Sequence, residues 1–135
     1  MSRMDYATAC GALDVFCTGL AQTHGPIQGG AMDTHTWTEV TGLLDTLNDC
    51  IKQYTHLQGL GDIYKWRNNM KFCADTATRI LEHDLKQYEA TIQAHASDFA
   101  VYIGNTCHGM TDILQVIAEG MKQVYVSDLI AGLHV

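Results

Sequence analysis

The chain has 135 residues, 47% of them hydrophobic, and carries a formal charge of −7 from 8 basic and 15 acidic side chains. That length suits one domain, residues 1–135, with enough apolar material to close a core. The acidic balance argues against non-specific binding to nucleic acid or to anionic membranes, because both depend on clustered cations.

Pro26 is the only proline, and long stretches lack glycine. Helices are therefore favoured, since proline removes a backbone donor and glycine costs conformational entropy. The five cysteines, Cys10, Cys17, Cys50, Cys73 and Cys107, are odd in number and form no CxxC pair. Neither a disulfide framework nor a zinc ribbon is expected; reduced thiols in the cytoplasm fit best. No segment reaches the roughly 18 uninterrupted apolar residues of a membrane span. Asp14 interrupts the apolar stretch Cys10–Ala21, which disfavours a signal peptide.

A first helix is predicted from about Asp5 to Thr23, with Tyr6, Cys10, Leu13, Phe16 or Cys17, and Leu20 on one face. His24–Gly30 reads as a loop because it combines glycines with Pro26. A second helix is expected to start on a Thr36–Glu39 capping box. Its stripe is Trp37, Val40, Leu44, Leu47, Ile51 and Tyr54, widened by Leu43, Cys50 and Leu57. Gln58–Gly61 stops it.

Asp62 is positioned to cap the next helical region, and no glycine or proline follows until Gly104. Ile63, Trp66, Met70, Cys73, Ala77 and Ile80 form one stripe. Leu81, Leu85, Tyr88, Ile92, His95, Phe99 and Tyr102 form another. The phase slips by one residue at Ile80–Leu81, so either one long helix bends there or two helices join near His83–Asp84. The reading favours one helix at about 62–104, some 60 Å long, which would need a partner chain to cover it. Gly104–Gly109 reads as a turn. A last helix is predicted from about Thr111 to Leu129; the β-branched and aromatic run Val124–Val126 leaves a short strand as an alternative. The fold expected is an all-α bundle of four to five helices.

The chemistry-bearing residues form no strong motif. His35 and Glu39 sit one turn apart and could share a metal, but a lone pair of this kind is ordinary first-turn geometry. There is no Glu-x-x-His, His-x-x-x-His or His-Glu-x-x-His, so no metal site is expected. Cys107-His108 is a poor dyad, because adjacent side chains diverge. Gly29-Gly30 lacks the lysine of a P-loop, and Ser2, Ser97 and Ser127 lie in no nucleophile elbow. The similar segments at His35 and His108 read as two helix starts.

Charge is uneven. Residues 1–62 hold two basic and seven acidic side chains, and residues 63–95 hold five and four. Pairs at one-turn spacing, Glu82–Lys86 and Asp75–Arg79, would serve a solvated face. The acidic first half of one chain could equally meet the basic helix of another.

The leading expectation is a non-catalytic protein–protein interaction module, a homodimeric regulator or inhibitor of a partner protein with no cofactor. Trp37, Leu44, Ile51, Tyr54, Trp66, Met70, Arg79 and Tyr88 are its candidate interaction residues. The alternative is a ligand-binding bundle that holds haem, a metal or a small aromatic molecule, with His95 or His56 as ligand. A minor third reading is DNA mimicry by carboxylates such as Asp45 and Asp49.

Overall fold

A computed structural model describes residues 4–22 and 32–133. The expected loop at His24–Gly30 and the predicted helix end at Thr23 lie outside the described residues.

Helix α1 spans Tyr6–Gln22. The Asp5 carboxylate accepts the Thr8 backbone N–H at 2.7 Å, and this bond holds its pKa below the usual carboxylate value. Helix α2 spans Thr34–Gly59. Its cap is Asp33, which accepts the Thr36 N–H at 2.9 Å and the Thr36 hydroxyl at 2.8 Å. The expected Thr36–Glu39 capping box is therefore not the one used. Aspartate satisfies the orphan donors as well as threonine does, and its charge also complements the helix dipole. α2 closes at Gly61, whose φ of 77° is open to glycine but costly for other residues.

Asp62 caps helix α3, Ile63–Arg79, by accepting the Lys65 N–H at 3.2 Å. A π-helical turn follows at Ile80–Asp84, with Leu85 N–H donating to the Ile80 carbonyl at 2.8 Å. A 3-10 turn at Lys86–Tyr88 leads into α4, Glu89–Ala94. A π-turn takes up one extra residue. It sits where the apolar pattern slips at Ile80–Leu81, and both of those side chains are buried. The long helical region is thus one bent run.

That run ends at Ala94, ten residues short of the expected 104. A 3-10 turn occupies Ala96–Phe99, and an antiparallel hairpin follows: β1, Val101–Ile103, and β2, Thr106–His108. Ile103 pairs with Thr106, leaving Gly104-Asn105 as a two-residue loop with Gly104 at φ 61°. Glycine leading a two-residue loop suits the twist of paired strands, and the β-branched neighbours favour extended backbone. Phe99 anchors this segment, with its ring 5.8 Å from Phe16 and 5.4 Å from Trp37.

Helix α5 spans Met110–Leu133, and Val124–Val126 lie inside it rather than in a strand. α1 packs on both α2 and α5, and α3 packs on both α2 and α5. The main core joins Leu13, Trp37, Leu44, Leu47, Phe99 and Ile117 with their neighbours. A smaller core joins Tyr54, Leu57, Met70, Cys73 and Ala74 at the other end. Gly120 permits the close approach of α1: a Cβ there would overlap the Tyr6 ring. Gly132 does the same for α3, where an added Cβ would lie 2.6 Å from Ile63 Cγ2.

Polar ties also cross the bundle. Asn48 is buried and donates to Asp14 at 3.0 Å, with Lys52 3.4 Å from the same oxygen. At the far end the Tyr54 hydroxyl donates to Asp128 at 2.7 Å, and the Gln58 amide donates to the same carboxylate at 3.0 Å. Burial and that carboxylate both push the Tyr54 phenol pKa up, so it stays a donor.

Candidate protein interface

α3 turns Met70, Cys73, Ala74 and Ala77 inward. The helical period then places Asn68, Phe72, Asp75 and Arg79 on the opposite side, with Tyr64 and Lys65 on its flanks. Phe72 is 66% exposed and Tyr64 65%. Among the described residues no ring contact shields Phe72, whereas Tyr64 lies beneath the Arg67 guanidinium at 4.7 Å. Lys65 similarly lies 5.0 Å from the centre of the Trp66 ring. Such contacts contribute about 0.5–1 kcal/mol at exposed sites and hold the cations beside the aromatic surface. α3 carries Lys65, Arg67, Lys71 and Arg79 against Asp75 alone, a net +3 on a chain of −7.

α5 adds a second exposed strip. Val126 and Ile130, one turn apart, are 53% and 51% exposed. The seat of Ile63 on Gly132 brings the start of α3 against the end of α5, so Tyr64 and Ile130 share one end of the bundle.

The ion pairs differ from those expected from spacing. Lys71 reaches Asp75 at 2.6 Å, and Arg79 reaches Asp84 at 3.7 Å. Glu82 binds Lys122 of α5 at 2.5 Å, while Lys86 turns to Glu89 at 3.3 Å. For Glu82 and Lys86 the π-turn is the reason: it rotates residue 86 away from residue 82, and Glu82 then faces α5. The Lys122 ammonium beside it lowers the Glu82 pKa.

Of the eight residues singled out in the sequence, Trp37, Leu44, Ile51, Tyr54 and Met70 are buried within the chain's own core. Trp66 is half-buried against the smaller core. Arg79 is exposed on the outward face of α3. Tyr88 is half-buried and donates its hydroxyl to Glu39, which raises its pKa. Glu39 also meets His35 Nε2 at 3.1 Å, so its two oxygens serve side chains of this chain. Tyr64, Phe72, Val126 and Ile130 went unmarked because they fall off the apolar stripes.

Cys10, Cys17, Cys50 and Cys73 are buried or half-buried. Cys17 is pushed up to about 12, mainly by burial and further by Asp45, Asp14 and Asp49. It donates to the Leu44 carbonyl at 3.7 Å. Burial likewise raises Cys10, Cys50 and Cys73, which disfavours the reactive thiolate. Cys107 is exposed and pairs across the hairpin with Tyr102. His108 follows it on a strand, so the two side chains point to opposite faces. Among the described residues no three histidine, cysteine or acidic side chains cluster as metal ligands. His56 is exposed and His95 half-buried.

Open grooves also mark the surface of the described residues, three of them well defined. One of about 250 Å³ lies between α4 and α5, with Leu81, Leu85, Ile92 and Leu114 as floor and Glu82 and Lys86 on its rim. A second, of about 280 Å³, lies where α1 meets the hairpin, beside Phe16, Trp37 and Val101. The third is shallow and lies beside Glu39 and Tyr88. No histidine or cysteine lines any of the three.

Comparison with protein-family models, curated proteins and solved structures returns no match to this chain. No described helix is long and apolar enough to cross a membrane.

Proposed function

We propose that this chain is a non-catalytic helical module that binds another protein and thereby regulates or inhibits it. One observation carries the reading: α3 and α5 hold Tyr64, Phe72, Val126 and Ile130 at least half exposed, while smaller apolar side chains are fully buried nearby. Exposed aromatic side chains beside arginine are the residue types that anchor protein interfaces. The burial of four of the five thiols and the internally paired Glu39 agree with a binding role rather than catalysis. A cytoplasmic setting agrees with the reduced cysteines.

The test is affinity capture from extracts of the native source with the wild-type chain and with Phe72→Glu/Ile130→Glu. Both positions are exposed, so the folded state should change by no more than about 0.5 kcal/mol. A stoichiometric partner is expected on the wild type and at least a tenfold lower yield on the variant. Equal retention of every bound protein would refute the reading.

The groove between α4 and α5 supports a second reading, a site for a small, largely apolar ligand. A melting midpoint raised by an added aromatic compound such as indole, and no longer raised after Ala118→Phe, would favour it. A midpoint unmoved by such compounds or by haem would count against it.

A further inference from the structure

We propose that Arg67, at the seam of α3 and α5, is the docking point for a carboxylate on an acidic segment of the partner protein. This rests on the protein-binding reading and names the chemistry that the partner presents.

The chain has 15 acidic side chains for 8 basic ones, so most of its cations have found a carboxylate. Lys52, Lys71, Arg79, Lys86 and Lys122 each pair with one. Among the described residues Lys65 and Arg67 have no such partner. Lys65 is exposed, over the Trp66 ring, and keeps its hydration there. Arg67 is half-buried, so part of its hydration is lost with no carboxylate to replace it.

Two phenols flank the Arg67 guanidinium. It lies 4.7 Å from the centre of the Tyr64 ring. On α5, burial raises the Tyr125 pKa, and the nearby charges of Lys71 and Arg67 oppose that rise. Ile63 sits on Gly132 and Lys71 lies near Tyr125, so α3 and α5 run antiparallel and Leu129 comes level with Arg67. The Arg67 N–H groups have no acceptor among the described residues, and no buried side-chain nitrogen there is left unsatisfied, so these groups open to the surface. A planar fork of donors suits a carboxylate bound through two N–H groups at once. Tyr64 already holds the fork in place, so less side-chain freedom is lost on binding. Tyr64 and Leu129 beside it offer apolar surface to a neighbour of that acid. Lys71 adds positive field, but its ammonium is taken by Asp75.

The experiment selects linear peptides from a random phage-displayed library on the full chain and measures their Kd by fluorescence polarisation. The selected peptides should share an aspartate or glutamate beside an apolar residue. Changing that acid to its amide should weaken binding to the wild-type chain by about tenfold or more, and should hardly matter on Arg67→Met. Lys65→Met removes the same charge from the other flank of α3 and should stay within about twofold of wild type. The amide change is made in the peptide, so its effect does not depend on the folding of a variant chain.

A library that yields no binder, or binders with no shared acidic residue, would overturn the proposal. So would equal affinity of wild type and Arg67→Met for the selected peptides, or equal losses in Arg67→Met and Lys65→Met. An oligonucleotide that outcompetes the peptides would assign the site to nucleic acid and overturn it as well. Any of these results beside a protein still captured through Phe72 and Ile130 would fail the Arg67 anchor alone and leave the protein-binding reading standing.

Discussion

Helices α2 and α3 are neighbours built on the same plan. Each begins on an aspartate whose side chain accepts the backbone N–H three residues on. Yet α2 puts Trp37, Val40, Leu44, Leu47, Ile51, Tyr54 and Leu57 into the core, while α3 buries Met70 and three smaller residues. Each lies between two neighbours, α2 between α1 and α3 and α3 between α2 and α5, yet α3 spends two large rings, Tyr64 and Phe72, on the outside. The difference separates two uses of apolar surface. In α2 it holds the fold, and in α3 part of it is left for something else to cover.

Truncation should expose that contrast most strongly. Leu44→Ala in α2 is expected to lower the unfolding free energy by about 2–5 kcal/mol in chemical denaturation, since the side chain is fully buried. A loss below 1 kcal/mol would mean that the α2 stripe is not the core described. Gly120→Ala comes next: the new methyl group meets the Tyr6 ring and should cost about 1–3 kcal/mol by overpacking. The two caps should be worth similar amounts. Asp33→Ala and Asp62→Ala are each expected to cost about 1 kcal/mol, and a silent Asp33→Ala would restore Thr36 as the cap.

A pH series tests the tie between α1 and α2. Asp14 has a lowered pKa, first because Asn48 donates to it and second because Lys52 lies near. Its contribution is therefore present above the unfolded carboxylate value of about 3.9 and is lost as pH falls through the folded value. Asp14→Asn should lower stability at neutral pH by that contribution and make the fall on acidification correspondingly shallower. A slope identical to wild type would remove Asp14 from the account. The smallest effect belongs to α3: Phe72→Ala should shift monomer stability by no more than about 0.5 kcal/mol.

The sequence made the scaffold legible where the apolar period was long. Six residues from Trp37 to Tyr54 at spacings of three and four define α2 without ambiguity. The slip at Ile80–Leu81 marked a bend, and the π-turn is its physical form. The hairpin was missed because a three-residue strand is too short to show alternation, and Phe99 and Tyr102 happened to continue the helical phase. The pair Gly104-Asn105 behind Val101-Tyr102-Ile103 was the available signal.

The candidate interface was the least legible part. Stripes report what the chain hides, so Trp37, Leu44, Ile51, Tyr54 and Met70 were chosen and proved to be internal. The length argument for a covering partner also falls, because the run from Ile63 bends and stops at Ala94. What remains is the off-stripe surface of α3. Phe72 there carried no periodic mark, and its exposure became visible once the fold placed Met70 and Cys73 inward.

The most direct measurement places a photo-crosslinking phenylalanine analogue at Phe72 and irradiates the chain in extract from its native source. The account predicts a covalent adduct to another protein that is missing when the same analogue replaces Asn105, exposed in the hairpin loop. Irradiation that yields the uncrosslinked chain from both positions would contradict it.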